Sequence, residues 1–225
     1  MIAIDGPAAS GKSAVGTAVA RRLGARFFDT GAMYRAVTWL ALQRGVDVHD
    51  APALASLVES ARIDVSEPSD SGATAEATAE ATAVVVDGDD ATPHLRDPDV
   101  EANVSLVSRV PDVRHALVRI QRALAAGGGV VMAGRDIGTV VLPDADVKIY
   151  LDASRELRAR RRVEQVARLG GHIAYDEVLA EMARRDGIDS SRETSPLTAA
   201  PDAVIIKTDT LSIDEVVERI VELAT

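Results

Sequence analysis

The sequence predicts an α/β protein in which a parallel sheet is covered by helices on both faces. Three observations carry that reading. Residues 1–4 (MIAI) and 130–133 (VVMA) are apolar at successive positions, as strands buried on both faces require, and 147–153 (VKIYLDA) reads as a further buried strand. Segments of helical period separate them, which is the alternation that brings parallel strands together. A glycine-rich turn, GPAASG, joins the first strand to the first helix. A chain of 225 residues, 47% of them hydrophobic, can bury a full core as one large domain or as one domain carrying an insertion.

Taken in order, residues 12–24 (KSAVGTAVARRLG) have apolar helical spacing, arginines late and Gly24 as a stop. ARFFD reads as a second strand, GAMYRAVTWLALQRG as a helix ending at Gly45, and residues 51–61 as another helix. The pattern then changes. IDVSE, TAVVVDG and ATPHL, with a turn at Asp87-Gly88-Asp89-Asp90, predict a small antiparallel sheet. Between them an Ala-Thr-Glu repeat of low complexity (72–83) could be a hairpin extension, a surface loop or a helix. Two helices follow at 97–108 and 111–126, the second opened by Pro111 in its first turn. Beyond the strands at 130 and 147, SRELRARRRVEQVARLGG and YDEVLAEMARRDG read as helices, and AVIIKTD and SIDEVVERIVELA as a closing strand and helix. The core is expected over 1–62 and 111–225, with 63–110 as an insertion.

Composition excludes several classes. A net charge of -10 argues against a protein that wraps nucleic acid through general positive charge. There are no cysteines for disulfides or thiolate metal sites, and His49, His94, His115 and His172 lack zinc spacing. No run of about 18 apolar residues suits a membrane span, and the N-terminus enters a strand with no signal-like segment, so a cytoplasmic protein is expected. Without a heptad or a large apolar stripe, a monomer is the default.

Gly6-Pro7-Ala8-Ala9-Ser10-Gly11-Lys12-Ser13 matches G-x-x-x-x-G-K-[ST] in full, between a strand and a helix that begins with Ala14 among its first residues. Backbone N–H groups and the helix N-terminus can there face the phosphates of a nucleotide. Lys12 would reach the β and γ phosphates, and the Ser13 hydroxyl would ligate Mg²⁺. The chain has no N-K-x-D for guanine and no Leu-Ser-Gly-Gly-Gln, which weakens the GTPase and transporter readings.

Arginines stand where strands end. Asp29-Thr30-Gly31 closes the second strand with Arg35 a turn later, and Arg135-Asp136 closes the strand at 130. That corner has three readings: a metal carboxylate, an internal ion pair, or a substrate clamp, which we favour. Arg155, Arg158 and Arg162 share one helical face, either solvated or forming a lid over the triphosphate. Arg185, Asp189 and Arg192 flank a polar loop, RRDGIDSSR. Such an arrangement suits an anionic acceptor opposite the triphosphate.

GPAASGKS, FFDTGAMYRA, VPDVRHALVRIQR, AGRDIGTVVLPDADVKIYLDAS and RRDGIDSSR together resemble bacterial cytidylate kinases, along the whole chain. The resemblance implies a P-loop NTPase fold: a central parallel sheet flanked by helices, a short lid (about 155–192) and an inserted NMP-binding region holding the small antiparallel sheet. It implies transfer of the ATP γ-phosphate to CMP and dCMP, with Mg²⁺. By motif, Thr30 and Arg35 would neighbour the acceptor phosphate, and Thr30 keeps the hydroxyl where relatives often have Ser. Ser105, Arg114 and Arg192 would reach the cytosine edge, with Asp136 beside the base and Arg135 beside the phosphates. Arg185 and Asp189 would hold the sugar region, and Arg161 and Arg162 correspond to lid positions, so that Lys12, Arg135, Arg161 and Arg185 form the expected catalytic set. Two rivals are a kinase for another small acceptor and a slow nucleotide-hydrolysing switch.

Overall fold

The computed structural model describes residues 1–67, 82–168, 170–192 and 194–225. Its central sheet has five parallel strands in the order β2 (Arg26–Asp29), β6 (Val130–Gly134), β1 (Ile2–Asp5), β7 (Val147–Asp152) and β8 (Val204–Lys207). Every residue of β1 and β6 is buried, which explains their uninterrupted apolar sequence. Side chains alternate between the faces. Ile4, Val131 and Leu151 meet Val15 and Val19 of α1 (Lys12–Leu23) and Ile220 of α8 (Ile213–Ala224). Ala3, Phe28 and Met132 face the other way, against Val118 and Ala125 of α5 (Pro111–Ala125) and against Ile137 and Val141.

The chain leaves β1 towards β2 and later returns through β6, between those two strands, before crossing to β7. The carboxyl end of β1 is therefore the point where the strand order reverses, and ligands of open parallel sheets bind at such points.

The segment after residue 62 forms a second, antiparallel sheet of β3 (Ile63–Ser66), β4 (Ala83–Val86) and β5 (Asp89–Asp90). Asp87 and Gly88 both have positive φ, 54° and 94°, as a tight hairpin turn demands. Val84 and Val86 pack with Met33 and Val37 of α2 (Thr30–Gln43), Leu54 of α3 (Ala51–Ser60), Val104 and Val107 of α4 (Pro98–Ser108), and Leu117 of α5. Burial of each large aliphatic chain here contributes on the order of 2 kcal/mol. The Ala-Thr-Glu repeat lies outside the described residues as far as residue 81.

Two expectations are corrected. ATPHL is not a strand: Thr92–His94 form a 3₁₀ turn, because Pro93 has no N–H for a ladder, and His94 stacks on Trp39 with ring centroids 5.6 Å apart. RRDGIDSSR is not a loop either, since α7 (Tyr175–Ser190) runs through Gly187 to Ser190; a single glycine weakens a helix by about 1 kcal/mol without ending it. Arg185 and Asp189 are thus one helical turn apart. With α6 (Arg155–Arg168), α7 makes a small separate cluster of Ala159, Val178 and Met182.

Candidate active site

At the end of β1 the backbone turns through Gly6 with φ +148°, and a Cβ there would lie 2.2 Å from the Leu151 carbonyl oxygen. Ala9 and Gly11 also take positive φ, 57° and 99°, and alternating handedness of this kind turns successive N–H groups into one concavity. No side chain caps the start of α1, so its first-turn N–H groups are left for an anion. The buried Ser10 hydroxyl has no partner among the described residues. These features fit a polyphosphate. Lys12 is buried and its ammonium donates to the Pro7 carbonyl at 2.7 Å. Burial, then the charge of Arg135, holds its pKa well below the usual lysine value, only partly offset by Asp29 and Asp5.

The Asp29 carboxylate accepts from the Gly31 N–H at 2.9 Å, capping α2, and from the Ser13 hydroxyl at 2.5 Å. Burial opposes its charge, but Arg35, Ser13, Arg96 and Lys12 together keep its pKa below the carboxylate norm. Ser13 Oγ beside an ionised carboxylate is a hard-oxygen set that fits Mg²⁺, an ion that takes few protein ligands beside water and substrate phosphates. Among the described residues no cluster of three His, Cys, Asp or Glu side chains suits a metal held by protein alone. Behind Lys12, the buried Asp5 accepts from the Ile137 and Gly138 N–H groups, both at 2.8 Å. Burial, reinforced by Asp136, pushes its pKa up to about 6 against the pull of those N–H groups and Lys12.

Gly134 allows the close approach of β6 to α2, since a Cβ on it would come within 2.6 Å of Thr30 Oγ1. Thr30 donates its hydroxyl inward, to the Ala133 carbonyl at 2.9 Å, and is buried. The next two residues diverge. Arg135 Nε donates to Asp189 Oδ2 at 2.9 Å, and Asp136 is ion-paired with Arg114. Arg114 also donates to the Ser108 carbonyl at 3.1 Å, while the Ser105 carbonyl accepts from Ser108 Oγ at 3.3 Å. Arg192 is ion-paired with Asp189; burial and then the charges of Arg114 and Arg135 bring its pKa down to about 10, which leaves it charged at neutral pH.

The structure therefore gathers the expected residues into connected groups: Lys12, Ser13 and Asp29; Arg114 and Asp136, which Ser105 joins only through Ser108; and Arg135, Asp189 and Arg192. Arg185 and Asp189, four residues apart on one face of α7, take different partners, Asp189 holding Arg135 and Arg192. Arg185 lies 3.6 Å from Glu101 instead. The corner has no internal Arg135–Asp136 pair. Arg161 sits on the loop rim, donating to the Ser10 carbonyl at 3.3 Å and the Thr208 carbonyl at 3.1 Å.

Sequence reasoning missed Glu101, Arg96 and Asp186. Glu101 accepts from Arg35 Nε and Arg96 NH1, each at 3.0 Å. Arg158, expected on a face either solvated or forming a lid, is buried: it pairs with Asp186 at 2.6 Å and donates to the Ala8 carbonyl at 3.2 Å, tying α6 and α7 to the loop. Asp186 stood in plain view inside RRDG, but only a continuous α7 would have turned it towards α6.

A family model described as Cytidylate kinase matches residues 2–225. A cytidylate kinase of Geobacillus kaustophilus (strain HTA426) is 53% identical over 99% of this chain and 95% of its own length. One from Pelotomaculum thermopropionicum is 46% identical over 98% of this chain and 93% of its own. A crystal structure of an uncharacterized protein from Eubacterium ventriosum ATCC 27560 superposes with a TM-score of 0.51 at 11% identity, covering 98% of this chain and 95% of that one, a likeness of fold alone.

Proposed function

We infer the activity from one premise: this chain belongs to the cytidylate kinase family. Its reaction is phosphorylation of CMP, with ATP as the phosphate donor. The observation that most supports it in this chain is the arrangement at two neighbouring parallel strands. The end of β1 carries the phosphate loop and Lys12, while the end of β6 carries Arg135, whose charge acts on Lys12, and Asp136, paired with Arg114. One edge of the cleft is thus built for phosphates and the other for a polar base.

The residues have separable tasks in this reading. The loop N–H groups and Lys12 hold the triphosphate, whose negative charge offsets the burial that disfavours the Lys12 ammonium. Arg35, Arg135 and Arg185 neutralise the phosphates between which the group passes, with Arg161 and Arg162 on the lid side. Because phosphoryl transfer demands positioning and charge neutralisation more than covalent catalysis, such equipment suffices. Ser105, Arg114, Asp136 and Arg192 offer cytosine the hydroxyl, carboxylate and guanidinium partners that its amino, ring-nitrogen and carbonyl groups need. Asp189 faces the sugar. Ser13 Oγ would ligate Mg²⁺, which would supply charge neutralisation for the triphosphate. The lid of α6 and α7 excludes water, a competing acceptor.

The same reading takes residues 63–110 as the acceptor-binding insertion, dCMP as a second acceptor, a cytoplasmic location and a single chain as the working unit. Among the described residues no helix is long and apolar enough to cross a membrane. ADP release measured with CMP, dCMP, UMP, AMP and shikimate tests it. Turnover that rises with CMP and dCMP is the expected result. Slow hydrolysis indifferent to CMP would favour a switch, and turnover with only another acceptor would move the assignment to that substrate.

A further inference from the structure

Glu101, on α4, projects into the ring of guanidinium groups assigned above to the phosphates. Its carboxylate takes a 3.0 Å hydrogen bond from Arg35 Nε and another from Arg96 NH1. It also lies 3.4 Å from Arg162 NH2 and 3.6 Å from Arg185 NH1. One anion on α4 thereby joins α2, α6 and α7, with Arg96 as a fourth point of attachment. Burial alone would disfavour its charge, yet these arginines outweigh burial and keep its pKa well below the carboxylate norm. Arg35 is itself buried, and its NH1 has no hydrogen-bond partner among the described residues. A carboxylate offers two oxygens to donors that could serve a three-oxygen phosphate.

We propose that Glu101 is a positioning residue that stands in for the acceptor phosphate, holding Arg35, Arg162 and Arg185 in place before the monophosphate binds and competing with it for them. This rests on the reading of the cleft as a CMP site. The incoming phosphate must draw the guanidinium groups away from Glu101 or share them with it. Two anions on one arginine set repel each other, so the carboxylate weakens acceptor binding while keeping the arginines ordered.

The test compares wild type, Glu101→Gln and Glu101→Asp. Glutamine keeps an oxygen for Arg35 Nε but removes the charge. Its KM for CMP should fall by about tenfold, the effect of losing a modest charge repulsion, while kcat stays within twofold and the KM for ATP is unchanged. Cytidine, which lacks the phosphate, should bind wild type and Glu101→Gln equally. Inorganic phosphate should inhibit the glutamine variant at lower concentration than wild type. Aspartate keeps the charge but withdraws it by one methylene, so its KM should fall between the other two. A raised KM for CMP in a folded Glu101→Gln enzyme would overturn the proposal, because Glu101 would then only support the arginines. If that variant does not fold, Glu101→Asp decides alone: a lower KM at unchanged kcat supports competition, and a higher one refutes it. Were CMP not a substrate of the wild type, inhibitory or thermal-shift titration with inorganic phosphate would still read the competition, separating its failure from that of the assigned activity.

Discussion

Arg114 and Asp136 form an ion pair buried almost completely where β6 ends, with side-chain exposures of 2% and 5%. The guanidinium carbon of Arg114 also lies 5.2 Å from the centre of the Tyr34 ring, a cation–π contact that adds to the pair. Burial works against the Arg114 charge, yet Tyr34 and Asp136 outweigh it and raise its pKa further. Asp136 is committed to α5, and its neighbour Arg135 to Asp189 of α7. Two consecutive residues thus fasten β6 to both walls of the cleft.

Arg114→Met should expose how much rests on that pair. Removing one partner of a buried ion pair leaves the other charge without compensation and costs about 3–5 kcal/mol. Urea unfolding should show a loss of that size, and the double variant Arg114→Met, Asp136→Asn should recover part of it. In enzyme that stays folded, the KM for CMP should rise with the KM for ATP nearly constant, and Arg192→Ala and Ser105→Ala should act in the same direction. A collapse of ATP affinity with CMP affinity intact would place the base elsewhere.

The parallel sheet was legible because its strands are apolar on both faces, and the phosphate loop because Gly6 and Gly11 are fixed by close approach and by positive φ. Glu101 was not legible. Its meaning comes, beyond nearby Arg96, from Arg35, Arg162 and Arg185, which are distant in sequence and meet it only when α2, α4, α6 and α7 pack. Arg158 shows the same limit, since periodicity placed it on the face with Arg155 and Arg162 but could not say that Asp186 would bury it. ATPHL and RRDGIDSSR were misread for a local reason: short polar stretches with Pro93 or Gly187 resemble strand ends and loops, and tertiary contacts decided otherwise.

Lys12→Ala should separate catalysis from stability. Loss of a charge that interacts most strongly with the transition state should lower kcat by at least about a hundredfold. The melting temperature should not fall, because the ammonium is buried beside Arg135 and its pKa is driven well down by that burial and that charge. Near-normal turnover in the variant would remove Lys12 from the mechanism.

Asp5 sets an acid-side dependence of stability. Burial raises its pKa from 3.8 to about 6 in the folded chain. The folded state therefore holds the proton more tightly than the unfolded one, and Asp5 favours folding fully only below about pH 4. That contribution is lost as pH rises towards 6 and is absent above it. The unfolding free energy of wild type minus that of Asp5→Asn should accordingly fall by about 2–3 kcal/mol between pH 4 and pH 7. A difference independent of pH would mean that Asp5 titrates normally.

Gly6→Ala and Gly24→Ala should distinguish a strained loop from a loop that must also fit its neighbours. Both glycines have positive φ, +148° and +62°, so alanine costs backbone energy at each, on the order of 1 kcal/mol at the left-handed helix stop. Their surroundings differ. A Cβ at Gly24 meets nothing within 4 Å, whereas one at Gly6 would sit 2.2 Å from the Leu151 carbonyl oxygen, a backbone atom of β7 that cannot move without disturbing the sheet. The loop must shift instead, carrying its N–H groups out of register with the phosphates. Gly24→Ala should lose about 1 kcal/mol of stability in urea unfolding and keep its ATP affinity. Gly6→Ala should lose more stability and bind ATP at least about tenfold more weakly in equilibrium titration. Equal ATP affinity in the two variants would mean that the loop's contact with β7 does not position its phosphate donors.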